Sequence, residues 1–542
     1  MIMNWPMPLD GRQLAKHRPV VVAALVFAAG CLLLQLYRHY SLYSSYDQGL
    51  FNQLFWNSVH GRLFESSLSS VLSAEVVHQG AVPFVSYRHL GQHFNPIFLL
   101  WLPLYALFPF PFTLSFLQVL LVTGAGLVLY ALARQTLPLK LSSLLTISFY
   151  GANAVLGPTL GNFHDYNPLP LLLFSLFLAL EKRWWGLFWA MALLILGVRE
   201  DVGVTLLSVG TYLVFRRRQW LIGIVLLVLT VAYILVLTNL VMPMFSADVS
   251  QRMIVERFGQ YTGGKPASTV VAIQAVLSQP GLILTEVCSR FPQKLSYLID
   301  QWLPLALIPA IAADAWLLAA FPLLELLLMR GDEPLSINMR YATLAVPGLY
   351  YGTLLWWSRR ADAFQRHMRR FWSICLALSL LFTVTANSHR TLSFLIPDSF
   401  RPWVYVAPIN QLQHAAQTRA VIAQIPPHAS LAATTFLIPP LSNRPAIVRF
   451  PESIQVRDAA QHTEMVDYIV ADLWQLQQLQ PAFKLERNLL QTSISMINQL
   501  VHTQAYGIQT FQGQVVLLQR GYITEPAVAA RWLAFASQNL IP

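Results

Sequence analysis

Long apolar runs recur through the first 388 residues, and they constrain this chain more than any single motif does. A helix needs about 20 apolar residues to cross the hydrocarbon core of a bilayer, and fewer suffice inside a crowded bundle. Runs near 18–37, 113–133, 141–158, 168–181, 184–198, 202–215, 219–241, 301–313, 314–330, 340–358 and 371–388 predict about eleven membrane helices. With 55% hydrophobic and 11% charged residues over 542 positions, too little polar surface remains to solvate a water-soluble protein of this length. The formal net charge of +11 does not point to nucleic acid, because its arginines cluster beside apolar runs, as at 216–218 and 366–370.

The same clusters set a topology. The first apolar run follows the basic stretch from Arg12 to Arg18 and has no small-residue cleavage site after it, which predicts a retained signal anchor with a cytoplasmic amino terminus. Residues 94–111 are apolar but broken by Pro96, Pro103, Pro109 and Pro111, so they read as an interfacial or re-entrant segment. With that segment excluded as a span, Arg134 and Lys140, Lys182 and Arg183, Arg216 to Arg218, and Arg359 to Arg370 all fall in the cytoplasm. Counting it as a span would reverse all four loops. The expected organisation is a transmembrane domain over 1–388 with external loops at 38–112, 159–167 and 242–300. A soluble domain over 389–542 follows, also outside the membrane, where no run is long enough to cross. Its β-rich runs at 430–435, 446–450 and 467–472 and its helical patterns near 411–424 and 484–503 predict a small α/β fold.

Several chemistries are excluded early. Cys31, Cys288 and Cys375 are too scattered for a disulfide framework or a zinc site. Neither a Walker-type phosphate loop nor a G-x-G-x-x-G is present, so nucleotide-driven transport by this chain alone is not expected.

Polar residues stand out against the apolar background. Asp47, in Tyr46-Asp47-Gln48-Gly49 just past the first span, can accept a proton from a hydroxyl nucleophile or bind a cation; as a helix-capping acid it would do neither. His164-Asp165-Tyr166-Asn167-Pro168 places an imidazole and a carboxylate in a short loop, which suits a cation or a phosphate-bearing ligand. Asx-Pro turn chemistry would account for the acid and the amide without any ligand. In Arg199-Glu200-Asp201 the charges can form an internal salt bridge, or Arg199 can grip a phosphate while a neighbouring acid joins a cation site. Arg88 and His93 in the first loop, and Arg340 at the outer start of the tenth span, are further phosphate candidates. The topology places Asp47, His93, Asp165, Arg199, Glu200 and Arg340 on one side of the membrane, although none of them enters the choice. Acids and arginines at headgroup level are what transfer from a lipid-linked phosphate donor needs, and binding alone would use them too.

The segments YDQGLFNQLFWNSVHG (46–61), HFNPIFLLWLPLYALF (93–108), HDYNP (164–168), RED (199–201) and IPPHASLAATTFLIPPLSNRP (425–445) resemble the bacterial membrane-protein family catalogued as domain of unknown function 2079. That family in turn is similar to the membrane glycosyltransferases of the C-type fold (GT-C), such as protein O-mannosyltransferases and aminoarabinose transferases. The resemblance implies a first-loop acid as catalytic base, here Asp47, a later external acid, here Asp165, for a cation or the donor, and a polyprenyl-phosphate sugar as donor. Two positions depart from the patterns. Gln48 follows Asp47 where such loops commonly carry a second acid, and Pro440 precedes Leu441 where the family usually has histidine.

The combined expectation is an all-α polytopic, GT-C-like membrane bundle with a C-terminal α/β domain. It would act as an inverting glycosyltransferase of the bacterial cytoplasmic membrane, with a glycan, lipid or protein acceptor, surrounding membrane lipids and no nucleic-acid partner. Asp47 would be the base. Arg88, His93, Arg199 and Arg340 would hold the donor phosphate, and Asp165, His164 and Glu200 a divalent cation such as Mg or Mn. The rivals are a carrier or flippase for lipid-linked glycans and a non-catalytic binding protein.

Overall fold

The computed structural model describes residues 11–539; the expected cytoplasmic amino terminus and the outer ends of both expected domains, at 1–10 and 540–542, lie outside the described residues. Among those described, five helices are long and apolar enough to cross a membrane: Lys16–Tyr40, Pro111–Ala133, Leu139–Leu160, Trp220–Met244 and Arg366–Ala386. Thr269–Leu277 and Pro280–Cys288, bent by 85° at their break, make a sixth if counted as one broken span.

Helices of that length answer five of the expected eleven spans among the described residues. Leu169–Lys182, Trp185–Leu196, Gly203–Phe215 and Val346–Ser358 have 14, 12, 13 and 13 residues. At about 1.5 Å per residue such helices reach roughly 20 Å, short of a core about 30 Å thick. The run at 301–313 is not one continuous helix: Pro304 and Pro309 sit in separate one-turn 3₁₀ segments, Leu303–Leu305 and Ile308–Ala310, with Ala306 and Leu307 in the left-handed region between them. Residues 94–111 form a short 3₁₀ turn, Pro96–Leu100, and a six-residue helix, Leu102–Leu107. Segment 242–300 is mostly helical, in pieces ending with Phe291–Trp302.

Small residues let the bundle close. Gly348 and Gly352, four apart on the Val346–Ser358 helix, face Ala313–Leu328; a Cβ on Gly352 would come within 2.2 Å of the Ala315 Cα, and one on Gly348 within 2.4 Å of the Leu318 carbonyl oxygen. Such close backbone approach is how helices gain packing where lipid supplies no hydrophobic drive. At one end of these helices, Arg216 and Arg359 each lie 2.7 Å from a carboxylate oxygen of the buried Asp314. Arg217 joins Glu181 and the Tyr351 hydroxyl at the same end. Arg199 and Arg340 precede the helices that Arg216 and Arg359 follow, so they mark the other end.

The C-terminal region folds around a five-stranded sheet in the order Ile447–Arg449, Leu431–Ala433, Tyr468–Asp472, Val515–Arg520, Tyr506–Gln512. The first three strands are parallel, and the last two pair antiparallel with their neighbours. Its core is shared with the first loop. Leu50, Phe51 and Leu54 of the Tyr46–Val59 helix belong to the cluster that contains Leu431, Ile438 and Ile447, and Val71 packs with Ala432 and Val448.

Replacing Gly352 by valine should force the two helices apart and cost about 1–3 kcal/mol, as overpacked cores do. The thermal midpoint of the detergent-purified protein should fall, whereas Gly281→Ala, where nothing lies within 4 Å of the added carbon, should leave it in place.

Candidate active site

Asp47 occupies the first turn of the Tyr46–Val59 helix, where the unpaired N–H groups favour a negative side chain. Hydrogen bonds to other loops hold this turn. The Ser45 N–H donates to Asn162 Oδ1 at 3.1 Å. Gln48 accepts from the Phe163 N–H at 2.9 Å and donates to the Pro111 carbonyl at 2.6 Å. That double role explains Gln48 where a second acid was the common pattern, because a carboxylate cannot donate to a carbonyl. Further along the helix, Asn52 donates to Ser442 Oγ at 2.7 Å and Asn443 Oδ1 at 2.6 Å, and Gln53 donates to the carbonyls of Arg444 and Pro445, both at 3.0 Å. The motif at 46–61 thus packs on the one at 425–445.

Asp47 Oδ2 lies 2.7 Å from Arg340 Nη1. The pair borders a cavity of ≈ 620 Å³ whose lining divides into a polar cap and an apolar trough. Asp47, His93, Asp165, Arg199, Glu200 and Arg340, from segments outside the long apolar helices, supply the cap. The trough comes from Leu207, Ile234, Ile273, Leu277, Phe321 and Leu324, on helices that form the bundle. Ile273, Leu277 and Leu324 are also 44%, 70% and 44% exposed, so the trough continues into apolar surface.

Arg199 organises the inner cap. Its guanidinium is 3.4 Å from Asp165, 3.3 Å from Glu200 and 3.4 Å from Asp201, and it lies over the Tyr166 ring at 4.8 Å. The Tyr166 hydroxyl donates to Asp201 at 2.6 Å. Glu200 ties in the first loop through His93 Nδ1 at 2.8 Å and the Phe94 N–H at 2.9 Å. Burial, reinforced by the charge of Arg199, holds the His93 imidazole well below its ordinary range. Neutral His93 therefore donates Nδ1–H to Glu200, which leaves Nε2 as an acceptor. Burial likewise pushes His89 down to about 3. It raises Asp201 to about 6 in spite of the opposing charge of Arg199.

Six of the eight residues singled out from the sequence line this one cavity: Asp47, His93, Asp165, Arg199, Glu200 and Arg340. Arg88 does not; it is exposed on the loop, and its backbone bridges Glu65. His164 is buried on another side, beside Val122, Pro158 and Asn167, with Nδ1 unpaired. The expected cation trio of Asp165, His164 and Glu200 is thereby split, and no group of three or more His, Cys, Asp or Glu side chains among the described residues could hold a metal ion. As placed, these residues do not fit a cation site. Nor does a neutral His93 with an acceptor nitrogen suit a phosphate oxygen.

Arg252, Glu256, Arg257, Glu325 and Glu333, which carry no signal singled out from the sequence, also line the cavity, as does Tyr341 next to Arg340. Arg257 is 2.8 Å from Glu333, donates to the Tyr341 hydroxyl at 2.9 Å and lies over the Tyr341 ring at 5.1 Å. The available signal was RMIVERF at 252–258, where Arg252 and Glu256 are four apart on one helical face, in a segment expected to be an external loop.

The bundle, its apolar spans and its charge-capped cavity define a polytopic membrane protein. The description "Predicted membrane protein (DUF2079)" matches residues 38–517, and the chain belongs to that family. No curated protein matches it. Among solved structures it is similar to ArnT from Cupriavidus metallidurans bound to undecaprenyl phosphate, at 13% identity and a TM-score of 0.42, over 91% of this chain and 97% of that one.

Because the folded protein holds the Asp201 proton more tightly than the unfolded chain does, the stability this group lends is full below pH 3.8 and is lost as pH rises through about 6. Thermal unfolding across that interval should show the decline. Asp201→Asn, which cannot ionise, should flatten it; an unchanged slope would show that another group sets it.

Proposed function

We propose that this chain is an inverting glycosyltransferase that moves a sugar from a polyprenyl-phosphate donor to a hydroxyl-bearing acceptor on the extracytoplasmic side of the membrane. The observation that carries the reading is the join of a carboxylate–guanidinium pair, Asp47 with Arg340, to an apolar trough that runs out to exposed apolar surface. A ligand with a phosphate head and a long hydrocarbon tail matches both halves at once.

The chemistry follows from the pair. The acceptor hydroxyl gives its proton to Asp47 while its oxygen attacks the anomeric carbon from the face opposite the phosphate. The bond between that carbon and the phosphate oxygen breaks, and its electron pair stays on the phosphate. Arg340 has Nη1 on Asp47 and a buried Nε–H with no acceptor, so it can receive a phosphate oxygen without first releasing the acid. Arg257 and Arg252, 21% and 17% exposed in their side chains, are the next guanidinium groups around the cavity. Asp47 is the suited base because its side chain is 34% exposed, whereas those of Asp165 and Glu200 are 2% and 11% exposed and engaged with Arg199. Arg199, already faced by three carboxylates, acts as the organiser of the cap. No step needs a metal ion.

One observation favours the carrier reading: Thr269–Leu277, which lines the trough, ends at the 85° break, and interrupted helices are common at carrier binding sites. A single assay separates the two. Purified protein in proteoliposomes, given a polyprenyl-phosphate sugar, should release free polyprenyl phosphate. Asp47→Asn should slow that release by about 10²–10⁴-fold and Arg340→Met by about 10²–10³-fold. Movement of the intact donor between leaflets without bond cleavage, unaffected by Asp47→Asn, would establish a carrier instead.

A further inference from the structure

A second cavity, in the C-terminal region, takes no part in the transfer chemistry and is built of different groups. This groove of ≈ 350 Å³ lies between the Pro408–Ile422 helix, the Leu473–Leu479 helix and the hairpin turn at Gly513-Gln514. Its polar surface comes from the amides of Asn410, Gln413, Gln417, Gln478 and Gln514, set beside the rings of Trp474 and Tyr405. No carboxylate, lysine or arginine is among the described residues that line it.

Two features show that the groove is built. The Trp474 ring is backed by His414, stacked on it with centroids 4.1 Å apart and planes at 23°. His414 is buried, with Nε2 2.9 Å from Asp472 Oδ2. Asp472 in turn accepts from the Gln475 N–H at 3.2 Å, capping the helix that carries Trp474, and its own N–H donates to Thr434 Oγ1 at 3.0 Å. The ring orientation is therefore fixed from behind by a buried chain of contacts. The second feature is the turn. Gly513 and Gln514 have φ of +57° and +63°, a two-residue left-handed hairpin loop in which glutamine costs on the order of 1 kcal/mol. The Leu473 N–H holds the Gln514 carbonyl at 3.1 Å, and Gln514 Oε1 is buried without a partner. A Cβ on Gly513 would fall 2.5 Å from Gln417 Oε1, so glycine leaves room for that amide.

Amides donate and accept, as sugar hydroxyls do, and a fixed indole offers a flat apolar face to the C–H face of a pyranose. An anionic ligand would find no cation here and a cationic one no carboxylate. We propose that this groove binds a neutral oligosaccharide, with Trp474 as the platform and Gln417, Gln478 and Gln514 reading the hydroxyls. The groove helix rests on the outer end of the first membrane helix, where the Tyr37 hydroxyl donates to Gln411 Oε1 at 2.9 Å and Arg419 lies over the Tyr40 ring at 5.5 Å. Both a soluble glycan and the headgroup of a membrane glycolipid can reach such a place.

The test is direct binding by the full chain in lipid nanodiscs, independent of any transfer activity. Maltopentaose, cellopentaose and chitotetraose are titrated by calorimetry and tryptophan fluorescence, with tetragalacturonate as the acidic comparator. At least one neutral oligosaccharide should bind, and Trp474→Ala should weaken it about tenfold or more. The paired exposed-face substitutions Gln413→Ala and Gln417→Ala, chosen to spare the fold, should weaken it by about threefold to tenfold. Displacement by vesicles bearing a neutral diglycosyl lipid would assign the site to a membrane headgroup, and persistence of the bound sugar to a soluble glycan. The proposal is overturned by no neutral saccharide binding up to about 10 mM, by preference for tetragalacturonate, or by unchanged affinity in the folded Gln413/Gln417 variant.

Discussion

A guanidinium taken out of water must be surrounded by negative charge, and one end of this bundle is arranged around that requirement at Arg199, whose side chain is 6% exposed. Its three carboxylates come from two loops, and Glu200 extends the network to a third by accepting from His93 and the Phe94 N–H. Removing any one partner would leave charge buried and uncompensated, so the loops at 89–94, 164–167 and 199–202 hold one another in register. Desolvation is also why His89 and His93 stay neutral and why Asp201 keeps its proton to about 6. The network lines the same cavity as the less buried pair, Asp47 with Arg340.

The first loop joins what looked from the sequence like two separate domains. The Tyr46–Val59 helix lies between the bundle and the sheet, bonded through Gln48 to Phe163 and Pro111 on one side and through Asn52 and Gln53 to residues 442–445 on the other. Buried amides without these partners would each cost about 1–3 kcal/mol, so the polar residues of this helix act as a clamp of determined geometry. A composition change near residue 389 marks where the apolar spans end. It carries no information about the loop that the sheet closes over, because hydrogen bonds spanning nearly 400 positions leave no local periodicity.

What the sequence made legible follows the same division between local and distant causes. Long uninterrupted apolar runs, as at Pro111–Ala133 and Trp220–Met244, became long helices, and the short apolar runs around Leu431, Ile447 and Ile469 became buried strands. Runs of intermediate length became helices shorter than a full span, since a 12-residue helix such as Trp185–Leu196 and a membrane span share composition and differ in where the chain breaks. The charges that converge were conspicuous because they interrupt apolar sequence, as Asp47 and Arg199 do. Arg252, Arg257 and Glu333 were not, because they sit in segments already rich in polar residues, where nothing local distinguishes a cavity wall from a solvated face. The hairpin at 506–520 escaped because its turn is Gly513-Gln514, without the Asn-Gly signal that marks such loops.

Charge balance in the main cavity bears on how a phosphate could enter it. Seven carboxylates and four arginines line the space, so an added anion meets an excess of negative charge unless protons or pairings rearrange. The carboxylates around Arg199 are locked by burial and by one another, and Asp201 already holds its proton below about 6. The pair with room to rearrange is Asp47 with Arg340, the more exposed of the two clusters. In the proposed transfer, a phosphate drawn to Arg340 would weaken that arginine's hold on Asp47 and raise the basicity of the carboxylate as the acceptor proton is taken. After such a transfer the phosphate would carry additional negative charge, Asp47 would be neutral, and Arg340 would serve the leaving group alone. One guanidinium can thus link occupancy by the donor to activation of the base, which is economical in a site where further positive charge would have to be buried.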